Sequence, residues 1–141
     1  MTPMVGADTT IRSTGLPPGR LVAFLAALTV IRLAVAAATG LIDDEAYYRL
    51  WSLHLSPGYL DHAPMVAWVI ATGRAIAGEG SLGVRFLAPI ATFAGSLLLW
   101  RTVALLEGRA TATRAVVWFN AMILVAAGSV LMTPDGPSVF F

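Results

Sequence analysis

The sequence predicts an all-α integral membrane protein with about three transmembrane helices, two amphipathic surface helices in the first outer loop, and the start of a fourth span. Of its 141 residues, 57% are hydrophobic and only 12% are charged, about half the charged fraction of a typical soluble domain. The apolar residues also form long runs, the first of which covers residues 21–42. A water-soluble domain of this length could not bury so many apolar residues in its core, so the composition excludes the class of soluble proteins.

Charge and cysteine content narrow the range of partners. The formal net charge is +1, and all nine basic residues are arginines that form no cluster, so no nucleic-acid partner is predicted. With no cysteine, a disulfide framework, a thiol nucleophile and a thiolate metal site are excluded. The partner that the sequence does predict is the membrane itself.

A polar arm, residues 1–20, is predicted on the cytoplasmic side, ahead of a membrane domain over residues 21–141. The first span, residues 21–42, would be roughly 33 Å long, against a hydrocarbon thickness of about 30 Å. Arg32 interrupts this span. An arginine near the bilayer centre costs about 2.5–3.5 kcal/mol on insertion scales, so we expect Arg32 to face other helices rather than lipid.

The outer loop, residues 43–85, is predicted to hold two helices that lie along the membrane surface, at about 44–55 and 64–77. The second begins with Pro64, because proline suits the first position of a helix. At about 14 residues it is too short to cross the bilayer. Its aromatic residues and those of the first surface helix are expected at headgroup level.

Two further spans are predicted at residues 86–106 and 115–132. Asn120, inside the third span, is expected to form a hydrogen bond between helices. The sequence TPDGP then breaks the helix, and an apolar run from Ser138 predicts a fourth span that continues beyond the last residue.

The distribution of arginine predicts the orientation in the inner or plasma membrane. With a cytoplasmic N-terminus, five arginines lie inside and three lie in the outer loop, a mild positive-inside bias. The first loop and the turn after the third span then share the extracytoplasmic face. The candidate site residues that this places in one compartment are Asp44, Glu45, Asp61, His62 and Asp135.

The run Asp43 to Glu45 leaves two interpretations open. Acidic residues at this place can cap the following helix and favour the positive end of its dipole. A carboxylate there can also serve as a general base or hold a metal ion. The two roles are compatible, because a residue in the first turn of a helix is held rigidly and can still present a free oxygen.

Two other acidic motifs allow the same pair of interpretations. The sequence YLDHAP is either a turn before a helix that starts with proline, or a source of one oxygen and one nitrogen ligand for a divalent ion, from Asp61 and His62. Adjacent residues seldom bind an ion alone, so further ligands would have to come from elsewhere. TPDG is a turn pattern, or it contributes Asp135 to the same site.

The order of the motifs is more informative than any one of them. DEAYYRLW follows the first span, GYLDHAP and GEGSLGVRF come before the second span, and TPDGPSVFF follows the third. This series resembles the N-terminal part of the GT-C-type membrane glycosyltransferases, in particular the protein O-mannosyltransferase-like and aminoarabinose-transferase-like enzymes, which use polyprenyl-phosphate sugars. The resemblance covers about residues 20–141.

The resemblance implies a role for each motif. Asp44 matches the first-loop acid that acts in catalysis, with Glu45 beside it. The substrate-binding residues it implies are Asp61, His62, Arg85 and Asp135, and the first two of these are also the expected ligands of a divalent metal ion. The sequence departs from the family pattern at Ala63, which replaces the first of two prolines, and at the extra acid Asp43.

The implied function is the transfer of a sugar from a polyprenyl-phosphate donor to a lipid, protein or glycan acceptor on the extracytoplasmic side. Enzymes of this kind run to several hundred residues and have many more spans. The alternative is a non-catalytic small helical membrane protein or assembly subunit that keeps part of the fold.

Overall fold

The computed structural model describes residues 16–59 and 63–134, and every regular element in these two ranges is a helix. In chain order the helices are α1 (Pro18–Ala38), α2 (Asp43–Leu53), α3 (Met65–Ala77), α4 (Ser81–Arg85), α5 (Leu87–Glu107), α6 (Arg109–Ala121) and α7 (Ile123–Gly128). The all-helical class is therefore confirmed for the described residues. The predicted start of a fourth span and most of the predicted N-terminal arm lie outside them.

Two stretches of the described chain are long and apolar enough to cross a membrane: Pro18–Ala38, with 21 residues, and Ser81–Glu107, with 27. They correspond to the first two predicted spans. The third predicted span, residues 115–132, is not one continuous helix. Met122 separates α6 from α7, because its ψ of 130° is extended rather than helical.

A proline sets the boundary between α4 and α5. Pro89 has no N–H to donate to the carbonyl of Arg85, and its ring crowds that carbonyl. Accordingly α4 ends at Arg85, although the next residue, Phe86, keeps helical angles of φ −51° and ψ −44°. The side chain of Arg85 thus lies at the beginning of the second apolar stretch.

The long helices pack through one buried stripe of α1. Leu21, Leu25, Thr29, Arg32 and Ala36 are its buried residues, and their spacing of three and four residues places them on one face. The two leucines form an apolar cluster with Val116 of α6, joined by partly buried side chains of α5. The helices α1, α5 and α6 therefore share one core.

A chain of polar side chains crosses this core. Nη1 of Arg32, which is only 6% exposed, donates to Oδ1 of Asn120 over 3.0 Å. The amide nitrogen of Asn120 donates in turn to Oγ of Ser96 over 2.9 Å. This confirms that Arg32 faces other helices and that Asn120 bonds between them.

The two helices predicted in the first loop are present as α2 and α3, within one or two residues of the predicted limits, while their position along the membrane surface stays a prediction. They pack with α4 around a second apolar cluster, whose buried members are Tyr48, Val66, Ile70, Val84, Ala88 and Met132. Glycines allow α3 and α4 to approach closely. A Cβ on Gly83 would collide with the carbonyl oxygen of Gly78, which itself has a φ of 88° that favours glycine.

Candidate functional site

A buried ion pair joins the first loop helix to the start of the second apolar stretch. Glu45, in the first turn of α2, is 0% exposed, and Arg85, at the end of α4, is 1% exposed. Nε of Arg85 donates to Oε1 of Glu45 over 2.8 Å, and Nη2 of the same guanidinium donates to Oε2. The planar guanidinium thus binds both oxygens of the carboxylate, and this bidentate contact fixes the orientation of the two side-chain groups relative to each other.

The rest of the Arg85 guanidinium binds the end of α1. Nη1 donates to Oγ1 of Thr39 over 2.6 Å, to the carbonyl of Thr39 over 3.1 Å and to the carbonyl of Ala36 over 3.4 Å. Nη2 donates to the carbonyl of Gly40 over 2.8 Å. The last carbonyls of a helix have no partner within it and carry partial negative charge, so a cation is favoured there. Arg85 therefore ties the end of the first span to the beginning of the second.

Glu45 also accepts hydrogen bonds from two backbone N–H groups. Oε2 accepts from Ile42 over 3.2 Å, which satisfies a free donor at the start of α2. Oε1 accepts from Met132 over 2.8 Å. The chain after α7 therefore returns to the first turn of α2, and these two segments meet at Met132.

The protonation of Glu45 follows from these contacts. Burial by itself raises the pKa of its carboxyl group. The hydrogen bonds from Arg85, Met132 and Ile42, together with the positive charge of Arg85, outweigh that effect and hold the pKa of Glu45 below its ordinary value. Glu45 is thus an ionised partner within a buried pair.

The two neighbouring aspartates have a different environment. Asp43 and Asp44 are exposed in the first turn of α2, and neither caps the helix with its side chain. The cap is supplied by Glu45 instead. Asp43 borders an open groove of about 650 Å³, which is also lined by Tyr47, Arg49 and Glu79. Asp44 is the predicted site carboxylate that remains accessible among the described residues.

Aromatic contacts fix the chain just before the second acidic motif. The ring of Tyr59 stacks on that of Trp51, with centroids 4.4 Å apart and planes 3° from parallel. The hydroxyl of Tyr59 lies 3.0 Å from the carbonyls of Trp51 and His54, to which it can donate. The loop between α2 and α3 is therefore held against α2 up to two residues before Asp61.

The remaining predicted site residues, Asp61, His62 and Asp135, lie outside the described residues. Within the described ranges, no group of three or more His, Cys, Asp or Glu side chains could hold a metal ion. Their roles in substrate and metal binding stay predictions.

The partners of the Glu45–Arg85 ion pair that the sequence did not predict are mostly backbone atoms. The carbonyls of Thr39 and Gly40 and the N–H of Met132 complete the coordination of the ion pair, and backbone groups leave no pattern of residue types. One weak feature of the sequence pointed to a capping role for Glu45, namely its position three residues after Ile42. A capping box has a glutamate at that spacing, but it begins with serine or threonine.

Comparison with known proteins shows a match to one protein family and to one characterised relative. Residues 61–141 match the family model described as dolichyl-phosphate-mannose-protein mannosyltransferase. The lipid A galacturonosyltransferase RgtD of Rhizobium johnstonii is 31% identical over 105 residues, which are 74% of this chain and 22% of the relative. The chain thus spans less than a quarter of that relative's length. No solved structure matches the chain.

Proposed function

The chain belongs to the dolichyl-phosphate-mannose-protein mannosyltransferase family of GT-C-type membrane glycosyltransferases, and on that premise we propose that it transfers a sugar from a polyprenyl-phosphate donor. In this proposal the acceptor is reached on the extracytoplasmic side of the inner or plasma membrane, and Asp44 is the general base. Two helical stretches of the described chain, Pro18–Ala38 and Ser81–Glu107, are long and apolar enough to cross a membrane.

The observation that carries the assignment of the base is the contrast between Asp44 and Glu45. A general base needs a free lone pair within reach of the proton that it removes. Glu45 is 0% exposed and accepts four hydrogen bonds, whereas Asp44 is exposed. Asp44 also follows the end of the apolar helix α1 after a short connection. A residue there lies near the membrane–water boundary, where the phosphate of a lipid-linked donor is found.

The reaction follows from the donor chemistry. The hydroxyl oxygen of the acceptor attacks the anomeric carbon of the sugar while its proton passes to the Asp44 carboxylate. The bond between that carbon and the phosphate oxygen breaks, and the polyprenyl phosphate leaves with the electron pair. Because a phosphate is already a good leaving group, the enzyme needs chiefly to orient the acceptor and take its proton.

The proposed acceptor is a hydroxyl group of a lipid, a protein or a glycan. The family description names dolichyl-phosphate-mannose and protein, and the name of the relative specifies lipid A and a galacturonosyl group. A polyprenyl-phosphate sugar is the donor chemistry that we propose for this chain. Lipid, protein and glycan hydroxyls are the acceptors to be compared.

Three further residues, Asp61, His62 and Asp135, are proposed to bind the substrate. The sequence neighbours of two of them are already fixed near α2. Tyr59 stacks on Trp51, and the N–H of Met132 donates to Glu45. A divalent ion at Asp61 and His62 would help neutralise the departing phosphate.

Substitution of Asp44 in the full-length protein tests the proposal. Purified protein is incubated with polyprenyl-phosphate mannose or galacturonate and with lipid A or a hydroxyl-bearing peptide, and transfer is measured. We expect Asp44→Asn to abolish transfer and Asp43→Asn, the matched control in the same helical turn, to retain it. Wild-type protein without transfer from any donor, or normal turnover by Asp44→Asn, would refute the proposal.

A further inference from the structure

We propose that Glu45 is a positioning residue: while paired with Arg85, it holds the chain at Met132 against the helical turn that carries Asp44. This inference rests on the proposed function for its catalytic meaning, since it concerns how the two segments of that site are held together. Its structural part can be measured without any transfer reaction.

Glu45 has no free lone pair left to accept a proton from a substrate. An ionised carboxylate has about four lone-pair sites for hydrogen bonds. Those of Glu45 are taken by Nε and Nη2 of Arg85 and by the N–H groups of Ile42 and Met132. An acceptor hydroxyl would have to displace one of these donors inside a site with 0% exposure. This arrangement suits a residue that holds the segment at Met132 against α2, and it does not suit a residue that transfers protons.

The hydrogen-bond donors of Arg85 are equally occupied. Its Nε and Nη2 reach Glu45, and the remaining donors reach Thr39, Gly40 and Ala36 at the end of α1. No N–H of the guanidinium is left for a phosphate of the donor. Arg85 therefore orients the carboxylate of Glu45 and anchors it to the first span.

Met132 is held through both its backbone and its side chain. Its N–H donates to Oε1 of Glu45. Its side chain, 2% exposed, packs in the apolar cluster with Tyr48, Val66 and Ile70. The apolar contacts place the segment on the loop helices, and the hydrogen bond adds a directional contact to the first turn of α2. That turn presents Asp44 one residue away from the bond.

Spin labels on the two segments test the holding function directly. Cysteines replace Leu53, at the exposed end of α2, and Thr133 in the full-length protein, whose other cysteines are removed, and the distance distribution between the labels is recorded. We expect one narrow distance distribution in the labelled protein with no further substitution, and a clearly broader one after Glu45→Gln. The matched control is Glu79→Gln, the same substitution at a glutamate that is paired with Arg74 but 64% exposed, and it should leave the distribution narrow.

A second variant covers the case in which Glu45→Gln fails to fold. Glu45→Asp keeps the charge for Arg85 but shortens the side chain by one methylene, so the carboxylate can no longer reach both Arg85 and the N–H of Met132 as Glu45 does. The distribution is expected to broaden in this variant too. An unchanged distribution in a folded Glu45 variant would overturn the proposal.

Transfer measurements on the same variants complete the test. A misplacement of about 1 Å can cost on the order of a hundredfold in rate, so we expect kcat to fall ten- to a hundredfold in the Glu45 variants and to stay unchanged in Glu79→Gln. A broadened distribution with unchanged kcat would show that Glu45 does not position the site. If the unsubstituted protein transfers no sugar, the proposed function fails, while the distance measurement still decides the holding role.

Discussion

The guanidinium of Arg32 donates a 3.0 Å hydrogen bond to the side-chain oxygen of Asn120, which lies 88 residues further along the chain. The bond connects α1 with α6 inside the apolar bundle. Because lipid offers no hydrogen bonds, a charged donor at this place depends on partners from neighbouring helices. The side-chain nitrogen of Asn120 donates to Oγ of Ser96 in α5 and so extends the connection to a third helix.

Removal of this contact should weaken the bundle. Asn120→Leu leaves the buried guanidinium without the acceptor, and we expect a loss of about 1–3 kcal/mol in the free energy of unfolding, the usual cost of an unsatisfied buried donor. The measurement is unfolding of the purified protein in mixed micelles. Val117→Leu, at a position of α6 that is 42% exposed, serves as the control, and an equal stability of the two variants would contradict the prediction.

The orientation predicted from arginine placement can be tested with single cysteines. Ser56→Cys in the loop after α2 should react with an impermeant thiol reagent on intact cells, because that loop is expected to be extracytoplasmic. Glu107→Cys, at the exposed end of α5, should be protected until the cells are opened. The reverse pattern would show that the protein is inserted the other way round.

Loss of the arginine of the ion pair should be severe. Arg85→Met leaves the carboxylate of Glu45 buried without its countercharge, and breaking a buried pair in this way costs about 3–5 kcal/mol. The double variant Glu45→Gln with Arg85→Met should recover part of that loss, because no buried charge then lacks a partner. Unfolding free energies of the single and double variants check this, and a double variant less stable than Arg85→Met would argue against it.

The lowered pKa of Glu45 predicts a pH dependence with a definite sign. In the unfolded chain the pKa of a glutamate is about 4.3, and in the folded protein the pKa of Glu45 lies below that value. Its stabilising contribution is therefore complete above about pH 4.3 and is lost as the pH falls through the folded pKa.

The measurement is the difference in unfolding free energy between the wild type and Glu45→Gln from pH 7 to pH 3. We expect this difference to shrink at the acidic end, since a protonated Glu45 resembles glutamine in giving Arg85 no negative charge. The comparison of two variants removes the contribution of the other acids. A difference that grows as the pH falls would mean that the pKa is raised instead.

The close contact of α3 and α4 gives a prediction about glycine. A Cβ at Gly83 would meet the backbone carbonyl of Gly78, which cannot move aside as a flexible side chain could, whereas a Cβ at Gly80 meets nothing within 4 Å. Gly83→Ala should therefore cost at least about 1–3 kcal/mol, the usual range for overpacking. Gly80→Ala is the control and should unfold like the wild type, and equal stability of the two variants would contradict the prediction.

Much of the fold could be predicted because its causes are local. The apolar run before Asp43 predicted α1, although the helix begins three residues earlier and ends four residues earlier than expected, and the proline at position 64 predicted the start of α3 to within one residue. Span length and helix starts depend on neighbouring residues. The environments of Arg32 and Asn120 were predictable for a related reason: a polar group among apolar residues must find a partner. The interruption at Met122 could not be predicted, because no proline or glycine marks it.

What the sequence determined by itself is the membrane class, the family and the acidic motif after the first span. It did not determine which acid of that motif is buried. Asp44 and Glu45 are adjacent and differ by one methylene, but successive side chains of a helix point about 100° apart. Glu45 is the one that meets Arg85, 40 residues later, and the N–H of Met132, 87 residues later. Only the packing of those distant segments buries the carboxylate of Glu45 in the ion pair and leaves that of Asp44 accessible.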